Sequence, residues 1–349
     1  MSAILSYSRI AQQKEEIMKT YLITGGAGFI GSNFIHYLME HSSEKIRIIN
    51  LDSLAYSASR DNVSQYEAKD NYRFIHGDVC DEELVSSVFA EEDIDYVVHF
   101  AAQTHVDRSI ASAAEFAATN VMGTLNLLNA ANAVWQGEER ITKRFLYIST
   151  DEVYGELPGA GYFTEASPLR PRNPYAASKA GADMMVRAFY ETHRLPILIT
   201  RCSNNYGPSQ YEEKLLPLCL KCCLLGEALP VYGDGSSVRD WLYVEDHCRA
   251  IDTVLSNGRL GEVYNVGGHN ERTNLELITE MKDILEQEFH QKASPIRFVE
   301  DRKGHDRRYA VDSSKLQEEL GWQARICLSE GLRKTIGWYL EHKEFLLRP

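Results

Sequence analysis

Tyr21-Leu22-Ile23-Thr24-Gly25-Gly26-Ala27-Gly28-Phe29-Ile30-Gly31 reads as a short apolar strand, a glycine turn and the start of a helix that continues through Phe34, Ile35, Leu38 and Met39. That order places backbone N–H groups at a helix N-terminus, where phosphate charge is stabilised. Glycine allows the tight turn and the close approach of a pyrophosphate to the backbone. Gly26, Gly28 and Gly31 also meet the G-x-G-x-x-G spacing, which is weak evidence alone. Its surroundings strengthen it. Ile46 to Leu51 reads as a second strand ending at Asp52, about 20 residues beyond Gly31, where an acid meets ribose hydroxyls. An acid there repels a 2′-phosphate, so NAD is favoured over NADP.

Working outward, Tyr72 to His76 reads as a third strand ending at Gly77-Asp78-Val79. Asp78 either approaches an adenine ring or caps the helix that starts near Asp81. Tyr96 to Phe100 is a fourth strand, with small residues Ala101 and Ala102 at its tip and His105 just beyond, either a substrate contact or a structural hydrogen-bonder. A helical pattern over Ala114 to Ala133, a strand over Arg144 to Ser149, a helix over Tyr175 to His193 and a strand over Pro196 to Thr200 follow. This alternation predicts an α/β fold, a doubly wound parallel (Rossmann) sheet with a smaller C-terminal α/β substrate-binding domain. The turn-rich stretch Arg201 to Pro208 marks the hand-over. Residues 18–203 are expected to form the NAD-binding domain and 204–349 the second domain, with some segments returning to the first. Glu213 to Leu225 and Asn274 to Glu288 are its clearest helices.

The fifth strand ends in Ser149-Thr150-Asp151-Glu152, two hydroxyls and two adjacent carboxylates. Ligands in open α/β sheets sit beyond the carboxyl ends of the strands, so this tip points into the functional crevice. Tyr175 and Lys179, four apart, share a helix face, and an ammonium there favours phenolate over phenol. Lys214, Arg239, Arg302, His305, Arg307 and Arg308 stand out in an acidic chain, either as a cradle for a diphosphate or as surface partners of the many acids.

The net charge of −13 over 349 residues argues against binding to nucleic acid or anionic membranes. No apolar run approaches the ~18 residues of a membrane span, so a soluble protein is expected. Seven cysteines, an odd and scattered number, fit a reduced cytoplasmic setting. Cys219, Cys222 and Cys223 read as core residues, because no second Cys or His pair stands at zinc-site spacing, and no metal is expected. Met1 to Ile17 lacks a secretory h-region and reads as a poorly ordered extension.

Over Met18 to Tyr339 the sequence resembles the extended short-chain dehydrogenase/reductase family. Thr24 to Gly31 is similar to that family's NAD-binding turn, and Tyr175 with Lys179 to its Tyr-x-x-x-Lys pair. Thr150-Asp151-Glu152 is narrower: it resembles the nucleotide-sugar 4,6-dehydratases, whereas related epimerases and decarboxylases usually lack the acid pair. Ser203 to Pro208, Glu213 to Leu218, Val238 to Asp246 and Asp301 to Tyr309 extend the likeness. Lys303 departs from it, standing where relatives commonly carry Pro.

The resemblance implies a nucleotide-diphosphate hexose, dTDP-glucose, as substrate; UDP-glucose 4,6-dehydratases share much of the pattern. It implies C4 oxidation with Tyr175 as base and Thr150 on the sugar oxygen. Water is then lost across C5–C6, with Glu152 taking the C5 proton and Asp151 protonating the 6-hydroxyl, before reduction at C6. Cofactor contacts are implied at Gly25, Gly28, Phe29, Ile30 and Gly31, then at Asp52, Asp78, Val79, Ala101 and Ala102, and at Tyr175, Lys179 and Asn205. Substrate contacts are implied at His105, Thr150, Asn204, Lys214 and Leu215, and further along at Tyr232, Arg239, Asn274, Arg302, His305 and Tyr309. A homodimer paired through two helices per subunit is the family expectation. Of the rival readings, a 4-epimerase or decarboxylase shares the first oxidation. A non-catalytic NAD-binding regulator has no use for Tyr175, Lys179, Asp151 and Glu152 together.

Overall fold

The computed structural model of the protein describes residues 18–301 and 306–347. Arg302, Lys303 and His305, and the extension before Met18, lie outside the described residues. Seven strands form one sheet: β1 (Lys19–Thr24), β2 (Ile46–Asp52), β3 (Tyr72–His76), β4 (Tyr96–His99), β5 (Arg144–Thr150), β6 (Ile197–Cys202) and β10 (Val263–Val266). Their order is β10-β6-β5-β4-β1-β2-β3, and every pair is parallel. Both faces are covered, which is why these strands read as continuous apolar runs rather than alternating ones. In β5, Phe145, Leu146, Tyr147 and Ile148 are all buried, each contributing roughly 1.5–3 kcal/mol by leaving water.

On one face lie the helices Phe29–His41 and Val244–Asn257, and on the other Glu82–Glu91, Thr124–Val134 and Pro174–His193. The smaller region has its own core around Leu216, Trp241, Leu277 and Leu332. It holds two small sheets: β7 (Asn204–Tyr206), β9 (Val238–Tyr243) and β11 (Glu271–Thr273) in one, β8 (Leu229–Tyr232) and β12 (Ile296–Val299) in the other. Cys219 and Cys222 belong to that core, and no metal-holding group of side chains occurs among the described residues.

The structure differs from the sequence reading in two helical and strand details. Ala114 to Ala133 is not one regular helix: residues Ala117–Gly123 widen into π-helical turns between Ala113–Phe116 and Thr124–Val134. Buried Asn120 sits within the widened segment, accepting from Gln103 N at 2.8 Å and donating to Gln103 O and Ser178 Oγ. Helix widening of this kind recurs at functional sites. β6 also runs on to Cys202, so Arg201 is a strand residue and not part of a polar turn.

Register aligns the tips of the parallel strands. Thr24 pairs with Leu51 and His99, and Thr150 pairs with Cys202. Gly25, Asp52, Ala101, Asp151 and Ser203 therefore gather at one sheet edge, where the strand order reverses between β1 and β4.

Candidate active site

One cleft runs along that edge, lined by the glycine turn, by the tips of β2, β3, β4, β5 and β6, and by Gln210, Tyr211, Glu213 and Lys214 on the far wall. At the turn, Gly25 has φ +71°, and a Cβ built on it would lie 2.6 Å from Ala101 N. A Cβ on Gly31 would meet Gly25 O at 2.3 Å. Only glycine lets the turn pack this closely against the β4 tip and the helix start. Gly28 precedes the helix Phe29–His41 without a side-chain cap, and no acid stands in its first turn. Those N–H groups are thus free of side-chain acceptors, an electrostatically favourable seat for a pyrophosphate.

Asp52 is buried at the end of β2, accepting from Ala27 N at 2.9 Å and Leu54 N at 2.7 Å. Burial pushes its carboxyl up, against those two hydrogen bonds. Asp81, not Asp78, caps the helix Glu82–Glu91, and Asp78 accepts from Cys80 N while lining the cleft beside Val79. Phe29, Ile30, Ala101, Ala102 and Asn205 also line it. Asn205 is oriented from behind by His247, whose Nδ1 lies 2.9 Å from Asn205 Oδ1.

Deeper in the cleft, Thr150 caps a short 3₁₀ turn, Asp151–Tyr154. Its Oγ1 accepts from Glu152 N and donates to Asp151 Oδ1, both at 3.3 Å. Asp151 is 2% exposed and its Oδ2 has no protein partner. Burial, then the neighbouring Glu152, push its carboxyl well above the ordinary range. Glu152 is also raised by burial, but Arg239, an Asn173 hydrogen bond and Lys214 oppose the rise. The two carboxyls therefore have different environments despite their adjacency.

Asn173 couples this turn to the helix Pro174–His193. Its Oδ1 caps Ala176 N at 2.8 Å, and its Nδ2 donates to Glu152 Oε2 at 3.4 Å. Tyr175 and Lys179 share the inner face of that helix. Lys179 Nζ donates to Ile148 O at 2.7 Å and lies 4.3 Å from the centroid of the Tyr147 ring. Burial lowers it to about 8. Tyr175 departs from the sequence expectation of a lowered phenol: burial, then Glu152, push it well up, with a Thr150 hydrogen bond opposing.

On the substrate side, Asn204 and Lys214 line the cleft. Lys214 Nζ donates to Thr104 O at 3.4 Å. The Arg239 guanidinium lies 4.4 Å from the Tyr309 ring centroid and donates to Asp306 O, and the Tyr309 hydroxyl donates to the Asp306 carboxylate. Neither lines the cleft, but both act on its edge: Arg239 opposes the rise of Glu152, and burial, then Glu152, push the Tyr309 phenol up. His105 caps the helix Val106–Ala111 and stands 3.4 Å from Glu213 Oε2, rather than lining the cleft. Leu215 and Asn274 are first residues of helices, and Tyr232 ends β8 at 37% exposure; none of the three lines the cleft. Sequence reasoning missed Asn173, although Asn before Pro is a helix-start signal. It also missed Glu213, which reaches across to Tyr56 at 3.1 Å. No local pattern carried that signal.

A dinucleotide cradle, a Tyr–Lys helix and an adjacent acid pair in one cleft define an enzyme of the extended short-chain dehydrogenase/reductase type. The chain belongs to the GDP-mannose 4,6 dehydratase family, whose model matches residues 22–335. It is 48% identical over 337 residues to a dTDP-glucose 4,6-dehydratase of Xanthomonas campestris pv. campestris, covering 94% of this chain and 95% of that one. It is 50% identical to the low-salt glycan biosynthesis protein Agl12 of Haloferax volcanii, over 93% of this chain and 99% of that one. Among solved structures it resembles DesIV, the dTDP-glucose 4,6-dehydratase of Streptomyces venezuelae, crystallised with NAD bound. The TM-score is 0.85 at 44% identity, covering 93% of this chain and 98% of that one.

Proposed function

We propose that the protein is an NAD-dependent dTDP-glucose 4,6-dehydratase, a lyase that forms dTDP-4-keto-6-deoxy-glucose. The observation that carries this is the pair of adjacent carboxyls on one turn, buried Asp151 and half-buried Glu152, in the same cleft as Tyr175 and the glycine cradle. The cradle fits NAD: the glycine turn closes too tightly on the backbone for a Cβ at Gly25 or Gly31, the helix start behind it carries no cap or acid, and buried Asp52 stands where ribose hydroxyls need an acceptor. Bound there, NAD would supply the hydride acceptor for C4 and the hydride donor for C6, and its positive charge would favour a Tyr175 phenolate.

Gly25, Gly28 and Gly31 would seat the pyrophosphate, Asp52 would hold the ribose, and Asp78 with Val79 would flank the base. Tyr175 Oη takes the proton of the 4-hydroxyl, and Thr150 Oγ1 hydrogen-bonds the resulting carbonyl oxygen. A 4-ketone acidifies the C5 hydrogen. Glu152, raised by burial but less freely than Asp151 because Arg239, Asn173 and Lys214 oppose the rise, removes that proton. Asp151, held protonated by burial and by Glu152, gives its proton to the departing 6-hydroxyl, and Glu152 returns its proton to C5 as C6 is reduced. Two carboxyls with environments that separate their affinities for protons suit one acid and one base role. Lys214, Arg239 and Tyr309 hold the sugar nucleotide from the smaller region.

The reading divides the chain into an NAD-binding part, residues 18–203 joined by β10, and a substrate part formed by most of 204–349. No helix among the described residues is long and apolar enough to cross a membrane. Seven free cysteines accord with a cytoplasmic location. Exposed Met122 and Met184, on neighbouring helical segments packed at Val121 and Gly181, accord with a homodimer. Product analysis after incubation with dTDP-glucose tests the function. A 4-keto-6-deoxy sugar with no net consumption of nicotinamide supports it; a 4-epimer or a decarboxylated sugar refutes it.

A further inference from the structure

Arg201 stands in β6 opposite Ser149 of β5, with its side chain 1% exposed. Nε and Nη2 donate to Asp183 Oδ2 and Oδ1, both at 2.9 Å. Nη1 donates to the Tyr154 hydroxyl at 2.9 Å. Asp183 is fully buried two turns beyond Tyr175 on the same helix, on the face that also carries Lys179. Tyr154 is the last residue of the turn that carries Asp151 and Glu152. Its hydroxyl donates to Asn265 Oδ1 in β10 at 2.7 Å, and its ring stacks on Phe163 with centroids 5.0 Å apart.

A guanidinium is a planar fork with donors at fixed angles, so it relays position as well as charge. Burying an ion pair is also a costly way to fill a core, since apolar side chains of similar volume often serve as well. Here the fork spans the two elements that must stay in register during catalysis, the Tyr175 helix and the acid turn. Neither Arg201 nor Tyr154 lines the cleft, so neither exchanges a proton with a bound sugar.

We infer that Arg201 and Tyr154 are positioning residues for the elimination step, Arg201 taking its anchor from the Tyr175 helix through Asp183 and Tyr154 passing it to the turn of Asp151 and Glu152. This rests on the dehydratase reading. Losing the Tyr154 hydroxyl cuts the link at the acid turn and leaves the Arg201–Asp183 pair intact. Tyr175 stays held while Asp151 and Glu152 drift. The two half-steps therefore respond unequally, which loss of fold alone would not produce.

The experiment is a single turnover of NAD-loaded enzyme with dTDP-glucose, following nicotinamide absorbance for C4 oxidation and rapid-quench product for elimination. In Tyr154→Phe, oxidation should stay within about twofold while elimination slows roughly tenfold to a hundredfold, the cost of a small misplacement of catalytic groups. Reduced nicotinamide should accumulate transiently. Asn265→Ser removes the acceptor of the same hydroxyl and should shift the partition the same way. Arg201→Lys keeps the charge but loses the fork, and should slow both steps. Equal loss in both steps for Tyr154→Phe and Asn265→Ser, or no change in either, overturns the inference while the parent still forms product. Failure of both variants to fold overturns it too, because a purely structural role then accounts for the network. A parent that forms no 4-keto-6-deoxy sugar overturns the dehydratase reading itself.

Discussion

Replacing Asp151 by Asn removes one transferable proton and keeps the shape of the side chain, including the acceptor for Thr150 Oγ1. Positioned acid catalysis is worth about 10²–10⁴-fold, or roughly 2.7–5.4 kcal/mol of barrier. Asp151 is 2% exposed with Oδ2 unpartnered, so no neighbouring protein donor can substitute and the loss should fall near the upper end. Hydride transfer from C4 should be spared. The assay compares kcat for dTDP-glucose with that for its 6-fluoro analogue, whose leaving group departs without a proton. Rescue of Asp151→Asn by fluoride, with no rescue of Glu152→Gln, is the expected pattern. The same variant should be more thermostable than the parent at neutral pH. The raised carboxyl keeps its proton in the folded state after the unfolded chain has released it, so parent stability falls as pH rises above the ordinary carboxylate range. Asn carries no such penalty, and the gap in Tm should narrow as pH is lowered into that range. Equal fluoride rescue of both variants, or reversal of the two, would refute the assignment of acid and base.

Asp52→Ala should weaken NAD retention through desalting by roughly 1.5–3 kcal/mol, the worth of charge-assisted hydrogen bonds; unchanged NAD content would leave Asp52 only its backbone partners Ala27 and Leu54. Lys179, lowered to about 8 by burial, should give a basic limb near pH 8 in kcat/KM, present below it and lost above, and Lys179→Arg should displace that limb. A limb that stays put would assign it to another group. dTDP-glucose should exceed UDP-glucose in kcat/KM, and the reverse order would overturn the choice of base. Met184→Glu places a charge on a side chain 50% exposed in this protomer and should yield a monomer by light scattering, whereas an unchanged mass would place any dimer contact elsewhere.

The sheet was legible in the sequence because its strands are buried on both faces and end in glycine, acid or hydroxyl, so Gly25, Asp52 and Asp151 announce their own positions. The acid pair and the Tyr175–Lys179 spacing were legible for the same local reason. What escaped depends on distant partners. Arg201 read as part of a polar turn because its partners Asp183 and Tyr154 lie 18 and 47 residues away. Glu213 meets Tyr56 across 157 residues. The raised phenol of Tyr175 follows from burial and from Glu152, neither visible in the spacing to Lys179. Leu215, Tyr232 and Asn274 were placed by likeness to a family, and the cleft as it stands does not include them.

β10 reaches the sheet from far downstream of the other six strands. During synthesis the chain must extend about 60 residues past β6 before that strand exists, roughly 3–12 s at ordinary elongation rates. For that interval β6 is a bare, apolar edge able to pair with a neighbouring nascent chain. Slowing elongation between Cys202 and Val266 should therefore lower the yield of soluble protein, and a fragment ending at residue 203 should aggregate even though every proposed cofactor contact but one lies within it.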